Sequence, residues 1–253
     1  MPSPRWSTRR LRTGWSEVLV LALDTATAQV SVAIGDSGAV LGAVQLVGGR
    51  RHAEQLAPAI DYLRRELDVD LGHLAAIAVG IGPGLFTGLR VGVTTAKVMA
   101  QALRIPVVGI PSLDLVAYPL RHSGKLVVAV LDARRREVFA ARYRPVPGGV
   151  QRVSDYAVYT PAELVAELAT ETVPERPGLL LAGDGVDRFR AEFAELDHAE
   201  LAGAEYASPS VAALVELATA RAEREEFEAP GELHPLYLRN SDAEINWDRK
   251  GGG

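Results

Sequence analysis

Between Gly80 and Arg90 the chain reads Gly-Ile-Gly-Pro-Gly-Leu-Phe-Thr-Gly-Leu-Arg, and no other stretch limits the fold as tightly. An apolar run from Ala75 to Val79 precedes it, and helical spacing begins at Leu85, so the glycines occupy a strand-to-helix turn. Glycine there lets backbone N–H groups come close to a ligand, and a helix N-terminus adds partial positive charge. One reading is an anion or phosphate site, with Gly82, Gly84 and Gly88 giving backbone access and Thr87 and Arg90 donating from side chains. The other is a tight turn whose glycines only permit close packing. A Walker loop is excluded, because Gly88-Leu89-Arg90 offers no lysine. A Rossmann fingerprint belongs in the first strand–helix turn with an acid ending the next strand, and here that strand ends Val108-Gly109-Ile110-Pro111.

The chain opens instead with a meander. Val18 to Leu23, Gln29 to Ile34 and Ala39 to Val47 read as three strands, with turn chemistry at Gly35-Asp36-Ser37-Gly38. Leu56, Ile60, Leu63 and Leu67 then recur at helical steps, with Pro58 expected in the first turn or at a kink. Pro106 to Ile110 closes this unit as a strand. The pattern restarts beyond Pro111: Leu126 to Leu131 ends in Asp132 as the first strand ends in Asp24, and Glu137 to Tyr143 follows across a turn. Thr160-Pro161-Ala162-Glu163 spells a capping box with proline at the first helical position. Leu179 to Leu181 runs into Gly183-Asp184-Gly185, and Ser208-Pro209 is expected to start a last helix through Val211, Leu214, Val215 and Ala218. A mixed α/β unit used twice places a cleft between its halves, where ligands tend to sit.

At the mouth of that cleft stand Asp24 and Thr25. In ATP-cleaving folds of this shape the acid positions metal or water and a following glycine admits phosphate. Ala26 and Thr27 occupy that turn here and restrict the approach. Asp132-Ala133-Arg134-Arg135-Arg136 is the counterpart, its arginines either binding an anion or solvated. The helix after the glycine turn carries Gly88, Gly92, Ala96 and Ala100 every four residues, a smooth stripe that fits either a partner helix or packing within the chain. Leu89, Val93 and Leu103 are expected to face the sheet.

Five scattered histidines (52, 73, 122, 198 and 234) give no pair at metal-binding spacing, with His52 expected at a helix start or on the surface. No Gly-x-Ser-x-Gly elbow exists. Cysteine is absent, which excludes disulfide scaffolds, thiol nucleophiles and Cys-ligated metal. No catalytic residue and no metal ligand is therefore assigned. The formal charge is −5, and Arg5, Arg9, Arg10 and Arg12 lie in the first 17 residues, leaving the remainder still more acidic. Such a surface matches nucleic acid poorly. No apolar stretch has the length and regularity of a signal peptide or a membrane span, so a soluble, cytoplasmic protein is expected.

Leu21-Ala22-Leu23-Asp24-Thr25-Ala26-Thr27, Arg51-His52-Ala53-Glu54-Gln55-Leu56 and the Val79–Gly92 run resemble the bacterial TsaB family. Ile105-Pro106-Val107-Val108-Gly109, Leu131-Asp132-Ala133-Arg134-Arg135 and Tyr237-Leu238-Arg239 continue the resemblance, while Leu85 stands where a small residue such as serine is expected. The resemblance implies an α/β fold of the actin/Hsp70/sugar-kinase (ribonuclease H-like) type, two related lobes each with a mixed sheet flanked by helices. Residues 18–111 with about 206–240 would form the first lobe and 112–205 the second, between a disordered basic extension (1–17) and a flexible tail (241–253). It further implies a non-catalytic partner of a TsaD-type subunit in placing a threonylcarbamoyl group on the adenosine beside the tRNA anticodon. A TsaE-type ATPase would be recruited, and tRNA met only through the complex. No cofactor is expected on the chain alone, with ATP and magnesium at the junction of the complex. Asp24, Thr25, Gly82, Gly84, Thr87, Gly88 and Arg90 are the anion or nucleotide candidates. Leu56, Ile60 and Leu63 with Gly88, Gly92, Ala96 and Ala100 form the expected dock, which a homodimer would share. The alternative from the same residues is a nucleotide-dependent phosphotransferase; a metallopeptidase lacks its paired ligands.

Overall fold

Runs such as Leu19–Asp24 and Ala76–Gly80 are apolar at nearly every position, which suits strands covered on both faces. In the computed structural model, which describes residues 18–47, 51–170 and 178–238, they lie at the centre of a five-stranded sheet. The basic leader, the tail and Arg239 fall outside the described residues. The sheet contains β1 (Leu19–Asp24), β2 (Gln29–Asp36), β3 (Ala39–Val47), β4 (Ala76–Gly80) and β5 (Val107–Ile110), in the order β3-β2-β1-β4-β5. β1 to β3 form an antiparallel meander, and β4 and β5 add parallel beside β1. The crossovers are α1 (His52–Glu66) and α2 (Phe86–Leu103).

After the short α3 (Ser112–Ala117) the same plan recurs. β6 (Leu126–Arg134), β7 (Glu137–Val146) and β8 (Gly149–Arg152) form the meander, and β9 (Ala157–Tyr159) pairs separately with β7. α4 (Pro161–Ala169) leads to β10 (Leu179–Ala182), and α5 (Asp184–Arg188) and α6 (Arg190–Phe193) to β11 (Ala199–Leu201). The order β8-β7-β6-β10-β11 repeats the first sheet strand for strand. α7 (Val211–Glu223) then returns to the first sheet.

Five layers result. Leu56, Ile60 and Leu63 of α1 and Val93, Ala96 and Ala100 of α2 cover one face of the first sheet over Leu21, Leu23 and Ile77. Val211, Leu214, Val215 and Ala218 of α7 cover the other over Val20, Ala22 and Ala78. α3 lies between the sheets, sending Leu113 and Val116 toward Val127 and Ala129. Leu164, Leu168, Val186 and Phe193 cover the far face of the second sheet. The capping box is formed: Thr160 Oγ1 accepts from the Glu163 N–H and Glu163 Oε2 accepts from the Thr160 N–H at 2.7 Å.

Several expectations are corrected. α7 starts two residues later than read, with Ser210 Oγ accepting from the Ala213 N–H, because Pro209 holds Ser208 outside the helical region. Pro58 is the seventh residue of α1, past its first turn and on the exposed side of the helix. The docking stripe is turned inward. Gly88, Gly92, Ala96 and Ala100 are buried in this chain's own core, as are Leu56, Ile60 and Leu63. Small residues are needed on that side because Gly92 lies against Thr25: a Cβ there would stand 2.3 Å from Thr25 Oγ1. The outward side of α2 instead presents Thr87, Arg90, Thr94, Val98 and Gln101.

Candidate functional site

The carboxyl ends of β1 and β4 meet the start of α2, and the glycine run joins them. Asp24 closes β1 and is 2% exposed. Its Oδ1 accepts from the Ala26 N–H at 3.1 Å, while Oδ2 is buried with no partner. A Cβ on Gly80 would lie 1.8 Å from that oxygen, so glycine is required beside it. Burial without a compensating charge pushes the Asp24 carboxyl up to about 7.

The rest of the turn is closed by its own backbone. The Leu85 N–H donates to the Ala26 carbonyl at 2.7 Å, and Thr25 Oγ1 donates to the Gly88 carbonyl at 2.7 Å. A Cβ on Gly84 would come within 2.3 Å of the Ala26 oxygen, and one on Gly88 within 2.1 Å of the Thr25 oxygen. These glycines therefore seat two carbonyls of the β1 turn, and that packing takes up the room assigned to an anion at Gly84 and Gly88. Gly82 is held by Ser112, whose Oγ accepts the Gly82 N–H at 3.1 Å. His52 opens α1 but is buried, its Nε2 2.7 Å from the Thr27 carbonyl oxygen.

Thr87 and Arg90 lie outside this closed turn, at the surface. The Arg90 guanidinium stacks 3.9 Å over the Phe86 ring, and its Nε donates to the Tyr237 hydroxyl at 3.4 Å. Phe86 and Tyr237 stand 5.1 Å apart. The strap that carries Tyr237 is pinned by the Leu236 N–H on the Ile81 carbonyl and by Lys97 Nζ on the Leu233 carbonyl. Thus Asp24, Thr25, Gly84 and Gly88 are brought together, and Thr87 and Arg90 belong to a separate aromatic–cation surface.

In the second lobe Asp132 is paired with two guanidinium groups, Arg188 at 2.8 Å and Arg134 at 3.1 Å. Asp184 Oδ1 accepts the Asp132 N–H at 2.8 Å, and burial pushes the Asp184 carboxyl up to about 6. Gly183 and Gly185 let α5 close on β6: a Cβ on Gly183 would stand 2.0 Å from the Val130 oxygen. Arg134, Arg135 and Arg136 all have φ between 53° and 64°, so the hairpin tip holds three non-glycine residues in the left-handed region. Sequence reasoning did not find this, because arginine carries no turn signal. A polar crevice of about 250 Å³ opens between the lobes, lined by Gln29, Gln45, Glu205, Tyr206, Ser208 and Ser210 among others, not by Asp24 or Asp132. Among the described residues no three acidic or histidine side chains gather as a metal site, and no helix is long and apolar enough to cross a membrane.

Comparison with known proteins places this geometry. Residues 42–247 match the family model described as TsaD, tRNA N6-adenosine threonylcarbamoyltransferase. The chain is 30% identical over 239 residues to the tRNA threonylcarbamoyladenosine biosynthesis protein TsaB of Haemophilus influenzae, covering 92% of this chain and 97% of that one. An uncharacterized Mycobacterium leprae protein is 41% identical over 150 residues, which span 58% of this chain and 40% of that relative. Among solved structures, YeaZ from Pseudomonas aeruginosa aligns with a TM-score of 0.72 at 30% identity, over 87% of this chain and all of that one. The ethanolamine utilization protein EutJ from Carboxydothermus hydrogenoformans, at 9% identity and a TM-score of 0.51, shares the fold alone. The architecture is that of the actin/Hsp70/sugar-kinase class.

Proposed function

The chain belongs to the TsaB family, and we propose on that premise that it is a partner subunit in making threonylcarbamoyladenosine next to the tRNA anticodon. Its role is to pair with and stabilise a TsaD-type subunit that performs the transfer, and to help recruit a TsaE-type ATPase. The observation that carries this reading is the closed β1 turn. Gly84 and Gly88 are filled by the carbonyls of Ala26 and Thr25, and Asp24 is sealed behind Gly80, so among the described residues the β1 turn leaves no open cradle for a reacting phosphate. A body of kinase type without that cradle is suited to being held by a relative.

The partner surface is the outward side of the two packed helices α1 and α2. Val98 on α2 is 60% exposed and Tyr62 on α1 is 56% exposed, large hydrophobic side chains that the described residues cover only in part. ATP and magnesium belong at the junction of the complex, where the partner supplies the groups this chain lacks. The acidic chain meets tRNA through the complex, and the reaction takes place in the cytoplasm.

The test is a reconstituted tRNA-modification assay in which each component is left out in turn. The modified nucleoside should form only when this chain and a TsaD-type subunit are both present, and the two should co-purify. Modification without this chain would refute the proposal. Calorimetry of the isolated chain with ATP and magnesium separates it from the phosphotransferase alternative, since tight binding and phosphate transfer would favour the latter.

A further inference from the structure

Asp132 stands near the carboxyl end of β6, much as Asp24 closes β1, but the turns that follow are built oppositely. The β1 turn is filled by its own carbonyls, whereas the tip between β6 and β7 carries Arg134, Arg135 and Arg136, all exposed. Their φ angles of 64°, 53° and 61° lie where glycine or asparagine is the ordinary occupant. The turn itself therefore does not select arginine, and three long cationic side chains held there point to a use for their charge.

One carboxylate organises the tip. The Asp132 side chain is 7% exposed, and its Oδ2 takes Nη1 of Arg188 at 2.8 Å and Nη1 of Arg134 at 3.1 Å. Its Oδ1 accepts the Arg134 N–H at 2.9 Å, and the Asp132 N–H donates to Asp184 at 2.8 Å, which fixes the carboxylate in turn. Two guanidinium groups on one oxygen must stand side by side, and each spends one terminal nitrogen there. Among the described residues no other carboxylate pairs with either arginine. The charge is layered: Asp132 and Asp184 lie beneath, while Arg188, Arg134 and Arg136 are 44%, 51% and 83% exposed above them. Glu192 comes no nearer to Arg136 than 3.9 Å. The layer that meets solvent is thus positive, although the chain as a whole carries −5.

We propose that Arg134 and Arg188, aligned by Asp132 and flanked by Arg136, bind a phosphate group. A lone carboxylate ligand is satisfied by a single guanidinium fork, so a second fork beside it has no oxygen left to take. A tetrahedral phosphate offers oxygens to both forks at once and a charge that matches two arginines. The site does not line the crevice between the lobes, so the phosphate is approached from outside. It lies in the second lobe, away from the partner surface on α1 and α2, and does not depend on the tRNA-modification reading. Binding here involves no transfer of phosphate, which separates it from the phosphotransferase alternative.

The test is to titrate pyrophosphate, ATP and a short single-stranded RNA, each without magnesium, into the full chain at low salt. Arginine Nε–H signals are followed by NMR, those of Arg134 and Arg188 being identified by their loss from Arg134→Gln and Arg188→Gln. Both signals should move at ligand concentrations of about 1 mM or below, and the response should retreat as salt is raised. A response to pyrophosphate and ATP assigns the site to free phosphates, and a response to RNA alone assigns it to backbone phosphates. Arg134→Gln and Arg188→Gln should each weaken binding at least about tenfold. Because both take a partner from a buried carboxylate, Arg188→Lys is the folding control: it keeps the charge beside Asp132 and the thermal melt, yet binds at least about threefold more weakly for want of the fork. Arg152→Gln, on β8, should bind as the native chain does. No movement with any of the three ligands, binding that Arg134→Gln and Arg188→Gln leave within about twofold, or equal weakening by Arg152→Gln would each overturn the proposal.

Discussion

Asp24 combines a buried carboxyl, one unpartnered oxygen and a folded-state value near 7 against 3.8 for the free side chain. The folded chain therefore holds this proton to higher pH than the unfolded chain does. Its contribution is intact below about pH 4 and is lost as the pH rises toward about 7, where ionising the sealed group costs up to ~4 kcal/mol. Asp24→Asn keeps the acceptor for the Ala26 N–H and removes the titration. The melting temperature of the native chain should fall across that window and that of the variant should stay nearly flat, as thermal melts in a pH series will show. Gly88 gives a second check at this scale. A methyl there would meet the Thr25 carbonyl oxygen at 2.1 Å, backbone against backbone, with nothing able to yield. Gly88→Ala should cost about 3 kcal/mol and lower the melting temperature by about 10 °C. Gly124→Ala, in open space at φ 70°, should cost only about 1 kcal/mol.

Among the elements, α2 separates what helical spacing tells from what it leaves open. The stripe Gly88, Gly92, Ala96, Ala100 is a true face of the helix. Spacing alone does not say whether a smooth face meets another chain or this one, and the answer lay in Thr25, remote in sequence, which needs the room at Gly92. The outward side is the one to perturb. Val98→Glu should leave stability within about 0.5 kcal/mol and abolish co-purification with a TsaD-type subunit. The strands β1 and β4 were legible because each is an apolar run ending in Asp or Gly, β6 and β10 because each holds an apolar run that meets Asp132 or Gly183, and α4 because its cap is spelled out in four residues. α3, α5 and α6 were not, since four to six residues are too few to show a period. The closed turn was half legible: Ala26 already argued against phosphate, but the contact of Gly84 with its carbonyl required the fold.

Over the whole molecule, the two lobes are tied through α3. Asp114 Oδ1 accepts from both the Tyr143 and the Tyr156 hydroxyls, at 2.7 and 2.8 Å, while Glu216 of α7 receives Tyr118 and Arg121. Burial, with the Asp114 carboxylate alongside, holds both Tyr143 and Tyr156 well above the usual phenol value. Asp114→Ala leaves two hydroxyls without their acceptor and should cost about 2–4 kcal/mol, read as a lower urea midpoint. The return of α7 to the first sheet has a consequence for synthesis. The strands β1 to β5 leave the ribosome early, yet the face they present to Leu214 and Val215 stays bare until the second lobe has been translated. The nascent chain must therefore carry part of that apolar wall uncovered, beyond what Leu115 and Tyr118 shield, until the last helix emerges.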